Sequence, residues 1–146
     1  MPGRCADCGA VLSDEMSCEE FFSAFLVLEF SDPAYGAVHF LTVACFMIQH
    51  GRYSDEGMAW MEQKLRKYLD EGIPVEEIRR QANEEADQAR RGWKVTRPHN
   101  ARPLPKIAWS MTIADVARNY HNAEEYRELI REWARVTLKE MGPYLV

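Results

Sequence analysis

The chain has no uninterrupted apolar run of the roughly 18–20 residues that a membrane-spanning helix requires. Its N-terminus reaches Cys5 without the apolar core of a secretory signal. Basic residues are in the minority: 18 Lys and Arg stand against 23 Asp and Glu, a net charge of −5. That balance disfavours non-specific binding to nucleic acid or to a membrane surface. No segment alternates apolar and polar residues with the two-residue period of a strand, and no internal repeat is present. Cysteine is sparse, four in 146 residues. The missing signal makes the cytoplasm the expected compartment, where such cysteines point to metal or free thiols rather than disulfides. What remains is 47% hydrophobic and 28% charged, a globular composition at the length of one ordinary domain.

Taken in order, residues 1–16 carry Pro2, Gly3, Gly9 and two cysteines without a sustained period, and are expected to form an irregular arm. Ser17-Cys18-Glu19-Glu20 is a capping box. The helix it opens, near 18–30, has Phe21, Phe22, Phe25, Leu26, Leu28 and Phe30 on nearly every side, which predicts a central position in the core. Ser31-Asp32-Pro33 breaks it and starts a second helix predicted to run unbroken through 34–50 to Gly51. Ser54 or Asp55 caps a third, 55–71, with Met58, Met61, Leu65, Tyr68 and Leu69 on one face. Pro74 opens a fourth with a thin stripe of Val75, Ile78, Ala82, Ala86 and Ala89. Residues 91–110, with Pro98, Pro103 and Pro105, read as a long loop pinned by Trp93 and Trp109. Thr112-x-x-Asp115 starts a short helix, and Asn122 starts the last long one, 123–141, ended by Gly142-Pro143. The predicted fold is all-α: a bundle of about four long helices plus one or two short ones in a single domain over 1–146. It divides into the arm (1–16), a helical part (17–90), the long loop (91–110) and a second helical part (111–142).

The chemistry concentrates in Cys5-Ala-Asp-Cys8-Gly9 and in Cys18, ten residues further on. Zinc favours four thiolate or imidazole ligands in a tetrahedron, commonly with one pair from Cys-x-x-Cys. Gly9 can take the positive φ that such a knuckle requires. Cys18 lies in the first turn of a helix, where the dipole favours the thiolate. If the first two helices form an antiparallel hairpin about Asp32, Cys18 lies level with residues 45–50, and His39 falls roughly 10 Å further along. The expected ligand set is therefore Cys5, Cys8, Cys18 and His50, with Cys45 as substitute for the fourth. Four protein ligands leave no open position, so the zinc is expected to be structural. The plainer alternative makes Cys18 and Cys45 small core residues and leaves Cys5 and Cys8 in a disordered arm.

The run His39-Phe40-Leu41-Thr42-Val43-Ala44-Cys45-Phe46-Met47-Ile48-Gln49-His50-Gly51, after the Cys-x-x-Cys-Gly arm, resembles a bacterial family catalogued as a domain of unknown function. Its pattern continues in Thr112-Ile113-Ala114-Asp115-Val116 and Trp133-Ala134. The chain departs from it at Ala44, where an acid is expected, and at Gly51, where the proline pattern is missing. The resemblance supports the helical fold and the choice of His50, and implies no activity.

Three other constellations compete for function. Glu29, Tyr35 and His39 form a second polar group, with Glu29 expected near Tyr35 and His39 one turn beyond. His121 is a further candidate for it. It could orient an imidazole for acid–base or metal chemistry, or be a satisfied buried hydrogen-bond group. Residues 79–106 hold eight Lys or Arg against three acids, a local charge of +5 that leaves −10 elsewhere. Arg90, Arg91, Lys94, Arg97 and Arg102, interleaved with Trp93 and His99, could meet an anion; the plainer reading is a solvated face without a nucleic-acid motif. Trp60, Trp93, Trp109, Trp133 and seven methionines could line a cavity, though such stripes are more often core. Without a complete catalytic set, the leading reading is a zinc-fastened binding or regulatory module, more readily a non-enzyme, with another protein as its open partner class. The alternatives are a metal-dependent enzyme using Glu29, His39 and His121, or an anion-binding adaptor through 90–106.

Overall fold

The computed structural model describes residues 3–12, 16–89 and 94–145, with the helical backbone alone described over 86–89. It is 63% helical. The arm is more regular than expected: β1 (Gly3–Arg4) and β2 (Val11–Leu12) pair antiparallel, with Gly3 opposite Leu12 and Arg4 opposite Val11. Two-residue strands are too short to show alternation in sequence; the knuckle between them supplies the pairing.

The capping box forms as read: Ser17 Oγ accepts from Glu20 N, and Glu20 accepts from Ser17 N. It opens α1 (Cys18–Ser31). The expectation that this helix is central does not hold. Of its apolar residues only Cys18 and Phe25 are buried, while Val27 is 67% and Phe30 75% exposed. An all-round apolar helix gives no periodic face to orient it, so its rank in the core is set by its neighbours.

The second predicted helix is split in two. Asp32 caps a single turn, α2 (Pro33–Gly36), accepting from Ala34 N at 2.9 Å. After Ala37 and Val38 the chain restarts as α3 (His39–Gln49). A Cβ on Gly36 would lie 2.5 Å from the Glu29 carbonyl oxygen, so the short turn packs backbone to backbone on α1. The break also turns Val38 into the core.

The centre belongs to α3 and α7 (Ala123–Glu140). Leu41, Ala44, Cys45 and Ile48 meet Ile130, Trp133, Ala134 and Thr137 in full burial. α4 (Asp55–Leu69), capped by Ser54, adds Met58, Met61 and Leu65. α5 (Val75–Ala89) makes the thin contact expected of it, through Ile78 and an ion pair from buried Lys64 to Glu85 at 2.6 Å. Over 94–110 the loop is fastened to the start of α4: Ser54 N donates to Val95 O and Arg97 N to Arg52 O. Trp109 packs edge-on against Tyr144, whereas Trp93 lies outside the described residues. α6 (Ile113–Asn119) starts at the Thr112–Asp115 capping box. Trp109 and Trp133 are core residues rather than cavity walls. Among the described residues no helix is long and apolar enough to cross a membrane.

Candidate metal centre

The knuckle closes by local hydrogen bonds. Cys5 N donates to Ala10 O and Gly9 N to Cys5 O, both at 2.9 Å, and Gly9 takes φ +77°. That turn aims Cys5 and Cys8 the same way. Cys18 enters from the first turn of α1, and His50 from the C-cap of α3. The ligand atoms of Cys5, Cys8, Cys18 and His50 all lie within 4.8 Å of one another. Cys8 Sγ to Cys18 Sγ is 3.7 Å, as is Cys5 Sγ to His50 Nε2. A tetrahedral zinc ion with ordinary bond lengths separates its sulfur ligands by about 3.8 Å, and sulfur from nitrogen by about 3.5 Å. The four groups therefore stand close to the spacing such an ion needs.

His50 is held for this role by its own helix. Nδ1 lies 2.8 Å from Phe46 O, so Nδ1–H donates and Nε2 presents its lone pair to the sulfurs. Its ring stacks on Phe46 at 4.1 Å, and Phe46 stacks on Phe22 of α1 at 4.0 Å. Cys8 and Cys18 are joined through one S–H···S hydrogen bond. The hydrogen bond from Cys18 draws Cys8 well below the ordinary thiol range, while its bond to Cys8, reinforced by burial, pushes Cys18 up. A divalent cation in place of that proton would hold both as thiolates.

Cys45, the substitute ligand, is not in the group. Five residues at about 100° each turn it roughly 140° around the helix from His50, into the core beside Thr137, where burial pushes its thiol up to about 12. Two anchors of the arm escaped the sequence reading: Lys106 Nζ donates to Ala6 O, and Arg118 donates to Val11 O at 2.5 Å. Both cations are exposed, and nothing local marks them as arm contacts.

The second polar group differs from expectation in its members. Glu29, with its side chain 0% exposed, receives His39 Nδ1 at 2.7 Å on Oε1. Thr42 Oγ1 and Tyr126 OH both donate to Oε2 at 2.5 Å. Burial, then the bond to Glu29, pushes the Tyr126 phenol up and keeps it a donor. Tyr35 lies elsewhere, its ring against Tyr126 at 5.0 Å, because the α2 turn separates it from α3. His121 does not join: its side chain is 81% exposed and pairs with Glu125, one turn along α7. Thr42 was within reach of sequence reasoning, three residues after His39 on one helix face. Tyr126, nearly a hundred residues away, was not.

The basic segment is largely engaged. Arg97 and Arg102 both pair with Asp55, at 2.9 and 3.1 Å, and Arg102 also donates to Tyr144 O. Hydrogen bonds from Arg97 and then Arg102 hold the Asp55 carboxyl below its usual range. Lys94 contributes its carbonyl, which accepts from Ser54 Oγ, while Arg90 and Arg91 lie outside the described residues. Within the described part, these cations brace the loop over the start of α4 rather than offering a free anion site.

The chain belongs to a family of unknown function, DUF5946, whose model matches residues 3–142. No curated protein and no solved structure matches it. The family brings no activity with it, and the chemistry rests on the residues above.

Proposed function

We propose that the protein is a helical binding module whose N-terminal arm is clamped to the bundle by one structural zinc ion held by Cys5, Cys8, Cys18 and His50. What carries the reading is the convergence of three thiols and one imidazole from the arm, α1 and α3, with paired atoms at 3.7 Å and the His50 tautomer set by Phe46 O. Three sulfurs and a nitrogen complete a tetrahedron and leave no position for water or substrate, so the metal acts on stability rather than on a reaction. All four cysteines are unpaired, which suits a reducing compartment such as the cytoplasm. The partner class that fits a rigid helical body with no reaction at its metal is another protein.

The test is metal content by elemental mass spectrometry on untagged protein, with a thiol-modifying titration alongside. The expected result is about one zinc per chain, released as cysteines are modified. Freshly prepared protein without zinc would overturn the clamp.

A further inference from the structure

Away from the four-residue cluster, a cleft of about 460 Å³ opens between the end of α1, the α2 turn and the first turns of α5. Its walls include Glu29, Phe30, Gly36, His39, Glu76 and Arg79. We propose that this cleft binds a small organic acid, an aryl or alkyl carboxylate, with its carboxyl group between His39 and Arg79 and its apolar part against Phe30.

The imidazole is built as a positioned group. Its Nδ1 is tied inward to a carboxylate with no exposure, and that carboxylate is itself fixed by hydroxyls from α3 and α7. The His39 side chain is 26% exposed, and with Nδ1 facing the interior its open edge carries Nε2. Nε2 has no partner among the described residues. A neutral imidazole offers a lone pair there and a charged one offers an N–H. A carboxylate accepts from the Nε2–H of the charged ring, and against the neutral ring its binding takes up one proton from solvent, which then lies between Nε2 and the ligand oxygen.

Two further features select the class. Arg79 has no ion-pair partner among the described residues, although Glu76 lies three residues before it on the same helix and Arg80 beside it pairs with both Glu77 and Glu84. A guanidinium in that state is free to take a carboxylate, which it matches with two parallel donors. Glu76, on the same rim, repels an anion and confines the ligand's charge to the Arg79 side. Phe30, 75% exposed and with its ring 4.8 Å from the His39 ring, is a large apolar side chain with little cover from the protein. A ligand with an apolar or aromatic body covers it; inorganic phosphate does not.

The experiment is a titration of the full chain with benzoate, acetate and inorganic phosphate, followed by NMR shifts of the His39 ring and the Phe30 amide. Benzoate is expected to saturate in the millimolar range, with acetate at least about fivefold weaker for want of the ring contact. R79Q and F30A alter exposed side chains and should each weaken benzoate about fivefold or more. E29Q reads positioning: it should change the His39 ring shifts and weaken benzoate while zinc content stays the same. Shifts that stay linear in benzoate, or an R79Q protein that binds it as tightly as the parent, would overturn the site.

Discussion

The two histidines of α3 stand at opposite ends of one helix, and the contrast between them separates two kinds of site. Eleven residues span about 16 Å and return to within about 20° of the same face. Each ring has Nδ1 taken by an acceptor within the protein, Phe46 O for His50 and Glu29 Oε1 for His39. The difference lies at Nε2. For His50 it meets three sulfurs, two from the arm and one from the first turn of α1, and for His39 it lies on the side of an open cleft. The same local device, a ring oriented by one nitrogen so that the other is presented, thus serves a sealed position at one end and an accessible one at the other. What surrounds the second nitrogen decides which.

The comparison is most sharply tested at the closed end. Replacing Cys5 and Cys8 together with serine should abolish zinc binding and lower the melting temperature by roughly 10 °C, since metal binding to such a site is coupled to folding. A chelator should lower the parent to a similar value and leave the double variant unmoved. Zinc affinity should also fall as pH drops, because protons compete for the thiolates and the imidazole. A double variant that melts with the parent would reduce the arm to an appendage.

At the open end the largest effect should come from Glu29. E29A leaves the Tyr126 hydroxyl and His39 Nδ1 without their acceptor, while Thr42 keeps its bond to Val38 O, and is expected to cost about 2–4 kcal/mol by chemical denaturation. Zinc content should not change. If zinc is lost with E29A, the two ends of α3 are coupled and the contrast drawn above fails.

A smaller effect distinguishes the cysteines. Cys45 is buried, with its thiol raised to about 12, so alkylation at pH 8 should pass over it in the folded protein. Cys5, half-buried at the edge of the cluster, should be the first to react once a chelator is present. Peptide mass spectrometry reads both, and early labelling of Cys45 would contradict its place in the core.

The smallest effect is expected at Asp55. Its carboxyl is held below the usual range by Arg97 and Arg102, so its contribution is present above the unfolded carboxylate value of about 3.9 and is lost as pH falls through the folded one. D55N should lower stability at pH 7 by no more than about 1 kcal/mol, as exposed pairs do, and the gap from the parent should close in strong acid. Neither zinc nor benzoate binding should respond.

Much of this was legible before the fold. The cap residues Ser17, Asp32, Ser54, Thr112 and Asn122 mark helix starts through bonds a few residues long, and each start falls where it was read. The positive φ of Gly9 is equally local. His50 was reached by helix rise, which holds within α3 because a helix is a ruler, although the unbroken hairpin assumed with it is interrupted at Ala37 and Val38. The break at Ala37 and Val38 was not read, because a lone glycine is tolerated inside a helical pattern, and what makes Gly36 necessary here, its approach to the Glu29 carbonyl, is a tertiary contact.

By itself, then, the sequence determined the helical class, most helix starts, the knuckle and which side chains have the chemistry to hold a metal, all of which depend on contacts a few residues long or on a regular rise. Only the tertiary structure decided that α1 lies at an edge with Phe30 exposed, that Glu29 takes Tyr126 and Thr42 instead of Tyr35, and that His121 stays outside. It likewise turned Arg97 and Arg102 onto Asp55. Those outcomes depend on how elements far apart in the chain fill one another's gaps, and packing of that kind leaves no period or spacing in the sequence of either partner.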